Sequence, residues 1–136
     1  MANALYDTGR NAFLLGDIDW AADDIRAILV DAADYTVNLV THDFLNDIPS
    51  GARVATLGAS LANKSASAGV ADADNITFPT VTGDPTEAVV LYRHTGTEST
   101  SQLIAYIDTA TGLPVTPNGG DITVTWDNGA NKIFKL

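Results

Sequence analysis

The chain has 136 residues, 46% hydrophobic and 18% charged, and this composition predicts one globular domain rather than a disordered chain. It contains no cysteine, which excludes a disulfide scaffold, a thiolate metal site and a cysteine nucleophile. Seventeen acidic residues against seven basic ones give a net charge of -10, so the surface is not expected to bind nucleic acid or an anionic membrane.

The first sixteen residues are predicted to hold the one substantial helix. Asn3 can cap it, Leu5, Ala12 and Phe13 recur near helical spacing, and Gly16 is a typical stop. The same residues lack a basic run followed by an apolar core, so they do not resemble a signal peptide. No apolar stretch of the sequence approaches the roughly 20 residues that span a bilayer.

Gly9 lies inside this predicted helix, where glycine costs about 1 kcal/mol relative to alanine. A helix with such an interior needs something to pack against. Two alternatives follow: the helix covers one end of a sheet, or it contacts a partner subunit.

From residue 25 onward the pattern changes to short apolar runs separated by turn residues. The expected strands are residues 25–30, 35–40, 53–61, 65–71, 76–81, 88–93, 102–107, 121–126 and 132–136. Residues 41–48 are expected to form one or two helical turns, capped by Thr41 and ended by Pro49. The last two strands are expected to pair as a hairpin through Asp127-Asn128-Gly129.

Nine short strands without alternating long helices predict a mainly β fold, an antiparallel β-sandwich or jelly roll with a short N-terminal helix. We find no internal repeat and no linker. The sequence therefore predicts a single domain over residues 1–136, with the helix in residues 1–16 and the strands in residues 25–136.

Carboxylates are plentiful, but they do not form a complete metal motif. Asp17 and Asp19 resemble the opening of a calcium loop, yet its glycine and glutamate positions hold Ala22 and Ile28. The oxygen-rich run at residues 72–75 is better explained by turn formation before the next strand. We predict no metal site.

The sequence offers no convincing catalytic arrangement either. His42 and His94 are far apart and lack the spacing of paired zinc ligands. Residues 58–62 faintly resemble a nucleophile elbow but lie inside a strand-like run, and Glu87 and Glu98 do not resemble a buried acid/base pair. We predict no enzyme activity, no catalytic residues and no cofactor.

The aromatic residues leave one ligand-binding alternative open. Tyr92, Tyr106, Trp126 and Phe134 lie in strand-like runs, so most of them are expected in the core. A carbohydrate-binding surface would instead need two or three exposed rings on one face. The sequence cannot distinguish these arrangements.

Three segments resemble a known protein family. They are Ala2-Asn3-Ala4-Leu5-Tyr6-Asp7 through Ile18-Asp19-Trp20; Ile28-Leu29-Val30-Asp31 through Asp34-Tyr35-Thr36-Val37; and Leu103-Ile104-Ala105-Tyr106-Ile107-Asp108 through Gly112-Leu113-Pro114-Val115 and Asn118-Gly119-Gly120-Asp121 to Trp126-Asp127-Asn128-Gly129. The chain resembles the capsid decoration, or cement, proteins that tailed bacteriophages encode beside their major capsid protein. The resemblance runs along the whole chain, and the ending at residues 126–136 is its most specific part.

The resemblance implies a small jelly-roll-like virion protein, made in the bacterial cytoplasm and located on the capsid exterior. Its implied partner is the major capsid protein, whose subunits it would bridge to stabilise the shell, and no catalytic residue belongs to that role. Copies are also expected to associate with one another, as a dimer or trimer. The alternatives are a head-completion or tail protein, or a carbohydrate- or ligand-binding module.

Apolar residues near both ends of the chain are the expected interface with these partners. The predicted interface residues are Leu5, Tyr6, Phe13, Trp20 and Phe134.

Overall fold

The computed structural model describes residues 4–136 as an antiparallel β-sandwich with a helix near the N-terminus, which confirms the predicted fold class. The elements are β1 Ala4–Leu5, α1 Asp7–Leu15, β2 Ile25–Val30, β3 Arg53–Thr56, β4 Ser65–Ser67, β5 Val70–Asp72, β6 Ile76–Phe78, β7 Ala88–Arg93, β8 Leu103–Ile107, β9 Ile122–Val124 and β10 Phe134–Lys135. Short 3-10 turns span Leu45–Asp47, Ser50–Ala52 and Glu98–Thr100. Within residues 4–136, no helix has the length and apolar character of a transmembrane segment.

Three sheets make up the sandwich. The largest has five antiparallel strands in the order β1-β8-β7-β2-β3. Its centre is the pair β2 and β7, which is in register from Ile25 opposite Arg93 to Val30 opposite Ala88. The smaller sheets have the orders β10-β5-β4 and β6-β9.

The five-stranded sheet is buried on both faces, which explains why β2 has no alternation of polar and apolar residues. On one face, Ala27 and Leu29 belong to a cluster shared with the two small sheets. On the other face, Ile28 and Val30 pack against residues 31–52, which cross the sheet without forming a strand. Side chains alternate between the faces of a strand, so burial on both sides requires apolar residues at consecutive positions.

A β-bulge changes this alternation in β8. Leu91 lies opposite Ala105, but Tyr92 lies opposite Leu103, so Ile104 is the extra residue. As a result, Ile104 and Ala105 both belong to the cluster beneath the small sheets.

Helix α1 is shorter than predicted and begins at Asp7. The predicted cap, Asn3, lies outside the described residues. Ala4 and Leu5 form β1 against β8 instead of a helical turn, because the open edge of that sheet provides backbone partners. Gly16 ends the helix in the left-handed conformation, φ 77°, which confirms the predicted stop.

Close packing of α1 on β8 explains the glycine inside the helix. A Cβ atom at Gly9 would lie 2.7 Å from the Leu103 carbonyl oxygen and 3.1 Å from the Ile104 Cα. These contacts are closer than carbon atoms tolerate, so only glycine lets the helix approach the strand this closely. The helix covers an edge of the sheet, as the first of the two alternatives expected.

Several predicted strands are wrong or too long. Residues 35–40 form no strand, because they belong to the segment that crosses the large sheet and are held there by side chains. The strand predicted at 53–61 ends at Thr56, and those predicted at 76–81, 102–107, 121–126 and 132–136 are shorter in the structure.

The strand predicted at residues 65–71 is in fact two strands, β4 and β5, joined by a tight turn. Ala68 and Gly69 both have positive φ, 53° and 80°, as a two-residue type I′ turn requires. The prediction missed this hairpin because alanine at the first turn position is not a turn signal.

The predicted helical turn at residues 41–48 is reduced to the 3-10 turn at Leu45–Asp47. Thr41 does not cap it, because the turn begins at Leu45 and its N-cap position is Phe44. The Asp47 carboxylate accepts hydrogen bonds from the amides of Asp43 and Phe44, at 2.7 and 3.3 Å, and performs the capping.

The predicted C-terminal hairpin is also wrong. β9 pairs with β6, and β10 pairs with β5, so the last two strands belong to different sheets. The turn between them does form locally, because the Asp127 carboxylate accepts a hydrogen bond from the Gly129 amide at 3.0 Å. Each strand pairs with the edge that its apolar side chains can reach, rather than with its neighbour in sequence.

Candidate functional site

The structure separates the five predicted interface residues. Leu5, Tyr6, Trp20 and Phe134 are 3%, 0%, 6% and 8% exposed, and Phe13 is half-buried. Leu5 and Tyr6 lie in the two core clusters, on opposite faces of the large sheet. The fold of the chain itself buries the side chains of these two residues, so they do not lie on the surface that it presents.

The other three predicted residues lie together. The ring of Phe134 is 5.9 Å from the ring of Phe13 and 5.2 Å from that of Trp20, and it meets the indole edge-on. Such edge-to-face pairs add about 0.5–1.5 kcal/mol beyond the burial of the rings. The three rings connect α1, the loop after it and β10 into one patch.

This patch forms the wall of an apolar groove. The groove has a volume of about 150 Å³ and is lined by Phe13, Trp20, Ala66, Gly69, Ala71, Phe134 and Leu136. None of these described lining residues has a charged side chain. Leu136 is 51% exposed, and Leu14 and Leu15 on the last turn of α1 are more exposed still. An apolar space of this size accepts one ring-sized or branched side chain.

An open strand edge borders the groove. β4 is the last strand of its sheet, and Ser65, Ala66 and Ser67 are all exposed. The two-residue turn makes Ser67 and Val70 a hydrogen-bonded pair, so the intervening Ala66 turns its N–H and C=O groups away from β5. Ala66 therefore lines the groove and leaves its backbone groups available to another strand.

An acidic cleft lies next to the groove. Its lining includes Asp72, Asp74 and Asp127, and its volume is about 350 Å³. β5 contributes to both spaces, because Ala71 lines the groove and the next residue, Asp72, lines the cleft. The Trp20 indole N–H, whose ring lines the groove, donates to the Asp72 carbonyl at 3.2 Å. This bond fixes the groove wall to the cleft.

On the opposite side of the large sheet, three side chains hold residues 31–52 in place. The Tyr6 and Tyr35 hydroxyls are 2.7 Å apart, and the Tyr35 hydroxyl is 2.9 Å from His42 Nδ1. The Asn38 amide also donates to His42 Nδ1, at 3.2 Å. Because Nδ1 is an acceptor, Tyr35 donates to it and Tyr6 donates to Tyr35, so that every donor has a partner.

Burial keeps both of these tyrosines neutral. It raises the pKa of Tyr6 well above the ordinary value, and it raises the pKa of Tyr35 to about 12. Burial disfavours a phenolate because the charged form loses its hydration. The hydrogen bonds between Tyr6, Tyr35 and His42 are thus an uncharged contact between the start of α1 and the segment that covers the sheet.

The remaining residues considered for catalysis contact separate structural partners. The Glu87 carboxylate accepts a hydrogen bond from the Ala32 amide, and Glu98 pairs with Arg53. His94 places its ring 6.2 Å from the Tyr92 ring.

The segment that faintly resembles a nucleophile elbow has neither the strand nor the helix that the motif needs. Residues 58–62 are irregular in the structure. The Ser60 hydroxyl accepts hydrogen bonds from the Ile25 amide and the Lys64 ammonium, at 3.1 and 2.8 Å, so it joins this loop to β2.

The calcium-like run after α1 uses its carboxylates within the fold. Asp19 accepts hydrogen bonds from the amides of Ala21 and Ala22, as a turn residue does. The next two acidic side chains pair with arginines, Asp23 with Arg93 and Asp24 with Arg26.

The structure contains another acidic cluster, which the sequence pattern did not predict. The carboxylates of Asp31, Asp34 and Asp84 lie within 4.8 Å of one another, and Asp31 is buried. No local pattern indicates this, because Asp84 comes from a distant loop.

The aromatic side chains do not form an exposed platform. All ten lie within residues 4–136, and none of them is exposed. Both tryptophans are buried and donate their indole N–H groups to backbone carbonyls, Trp20 to Asp72 and Trp126 to Asp74. The arrangement of exposed rings that favours carbohydrate binding is therefore not formed.

No model of a known protein family matches the chain, and no curated protein matches it.

Proposed function

We propose that this chain is a structural protein of a tailed-bacteriophage virion, which binds the exterior of the assembled capsid and stabilises it by bridging major capsid protein subunits. The structural observation that carries the proposal is the apolar groove beside the open edge of β4. The resemblance of three segments to capsid decoration proteins supports the choice of partner. The proposed role assigns no reaction to any residue.

The groove and the strand edge suit a protein that binds a large assembly. An open edge adds another strand through backbone hydrogen bonds, whatever the sequence of the partner. One small groove gives only a modest affinity, but a shell offers many identical sites. Binding to the assembled shell and not to its free subunits shifts the equilibrium towards the closed shell.

Association between copies is part of the same proposal. Neighbouring copies on the shell would form a dimer or trimer around the local symmetry axes, and contacts at several points raise the overall affinity. The exposed leucines at the end of α1 are the apolar side chains available for such contacts.

The test uses shells assembled from the major capsid protein of the phage to which the proposal assigns this chain. The purified protein is mixed with empty shells and sedimented, and its copy number in native virions is measured by quantitative mass spectrometry. We expect co-sedimentation at saturation and a copy number close to that of the major capsid protein. A protein that stays in the supernatant contradicts the proposal, and only a few copies per virion would indicate a head-completion or tail protein.

A further inference from the structure

We infer that the docking partner of this surface is an extended, basic polypeptide segment, which pairs with the open edge of β4, places one apolar side chain in the apolar groove and directs a lysine or arginine towards the acidic cleft. That this segment belongs to the major capsid protein rests on the proposed function. The chemistry of the segment rests on the surface alone.

The strand edge determines the backbone conformation of the segment. The N–H and C=O groups of Ala66 point outward from β4, and within residues 4–136 no other strand pairs with that side. Only an extended backbone presents a donor and an acceptor at the matching spacing. The segment therefore adds a fourth strand to the sheet β10-β5-β4.

The groove determines one side chain of the segment. It borders Ala66, its described lining has no charged side chain, and its volume is about 150 Å³. A polar side chain placed there would lose its hydration without a hydrogen-bond partner, whereas a leucine, valine or phenylalanine buries its apolar surface. Because strand side chains alternate, a single residue of the segment enters the groove.

The acidic cleft determines the charge of the segment. Ser65 of β4 lies opposite Asp72 of β5, so the end of the added strand that passes Ser65 approaches the cleft. The carboxyl side chains of Asp72 and Asp127 belong to its lining, together with that of Asp74. A basic side chain at that end of the segment is attracted, and an acidic one is repelled.

The same charge argues against a second copy of this chain as the occupant. Each copy has a net charge of -10, so an acidic segment of a second copy would be repelled by the carboxylates of this cleft. Most of its basic side chains are already paired, including Arg26 with Asp24, Arg53 with Glu98 and Arg93 with Asp23. The cleft is thus better matched by a basic segment of another protein.

The first test uses a capped eight-residue peptide of alternating lysine and leucine, titrated into isotopically labelled protein and followed by amide NMR shifts. We expect saturable shifts at Ala66, Gly69 and the Trp20 indole. A peptide with glutamate in place of lysine, and one with N-methylated amides on its pairing side, should each bind at least about tenfold more weakly. Equal binding of either control peptide, or shifts confined to another surface, would overturn the inference.

Variants of the chain test the same contacts. Ala66→Pro removes the outward N–H of an edge strand, a position where proline is tolerated, and it should weaken peptide binding at least about tenfold. Ala66→Gly keeps the N–H group, places no polar atom in the groove and is the matched control. If Ala66→Pro fails to fold, the N-methylated peptide still tests the pairing on the unaltered chain.

Two double variants, each lacking two carboxylates, test the role of the acidic cleft in binding. Asp72→Asn with Asp127→Asn removes two carboxylates and should weaken peptide binding roughly threefold to tenfold. Asp34→Asn with Asp84→Asn removes the same charge from the other acidic cluster and should leave the affinity unchanged. Equal losses in both double variants would show that only net charge matters, and the cleft would then have no specific role.

The shell experiment separates this inference from the proposed function. If the unaltered protein binds shells and Ala66→Pro binds them with equal occupancy, the proposed function stands and β4 is not the docking edge. If the peptide binds as described but the unaltered protein does not bind shells, the surface has been identified correctly and the partner is not the capsid.

Discussion

The hydroxyl of Tyr6 lies 2.7 Å from the hydroxyl of Tyr35 in the interior of the protein. Tyr6 stands between β1 and α1, whereas Tyr35 belongs to the irregular segment that covers the second face of the large sheet. The bond therefore joins the start of the chain to the cover of the sheet, and His42 accepts the final hydrogen bond of the series.

This relationship predicts a loss of stability in alkali. Both pKa values are raised in the fold, that of Tyr35 from 10.0 to about 12, so the folded chain keeps protons that the unfolded chain releases. The stabilisation is complete below pH 10 and is lost as pH rises above it, by up to about 1.4 kcal/mol per pH unit for each tyrosine. Urea unfolding between pH 8 and pH 12 measures this slope, and a flat profile would contradict the assignment.

Tyr35→Phe should destabilise the protein by about 1–3 kcal/mol at neutral pH. The change leaves the buried hydroxyl of Tyr6 without an acceptor. A buried donor without a partner destabilises a protein more than the removal of both hydrogen-bonding groups does. In the double variant Tyr6→Phe, Tyr35→Phe, both partners are apolar, so part of the loss should be recovered. Strict additivity of the two changes in urea unfolding would show that the hydroxyls are not coupled.

Gly9→Ala should lower the free energy of unfolding by about 1–3 kcal/mol, although alanine is the better helix former. The added Cβ would meet the backbone of β8 at 2.7 Å, and neither element can move without disturbing the core. Asn11→Ala, at an exposed position of the same helix, is the control and should be neutral or slightly stabilising. Packing predicts that Gly9→Ala lowers the stability, whereas helix propensity predicts that it raises it. Thermal unfolding of both variants distinguishes these two effects.

Ala68→Asn should stabilise the β4–β5 hairpin by about 0.5–1 kcal/mol. Ala68 has φ 53°, a conformation that asparagine adopts more readily than alanine, and asparagine followed by glycine is the preferred sequence of a type I′ turn. Ala130→Asn, in an exposed turn without positive φ, should change stability by less than about 0.5 kcal/mol. A destabilised Ala68→Asn variant would exclude this account of the turn.

The sequence by itself determined the class of fold and its local features. The apolar runs that became β2, β7 and β8 are continuous, so they are buried whatever packs on them. Gly16 ends the helix, and the Asp127 side chain forms its turn, because both effects depend on residues within one turn of the chain.

Tertiary structure decided the pairing of the strands and the composition of the candidate site. The short strand β10 pairs with β5 rather than with β9, because its aromatic ring fits between Phe13 and Trp20. Leu5 looked like a residue of a helical contact surface but pairs within the sheet instead. Periodicity and turn chemistry are local and can be read along the chain, whereas which edge a strand meets depends on the shape and burial of all the other elements together.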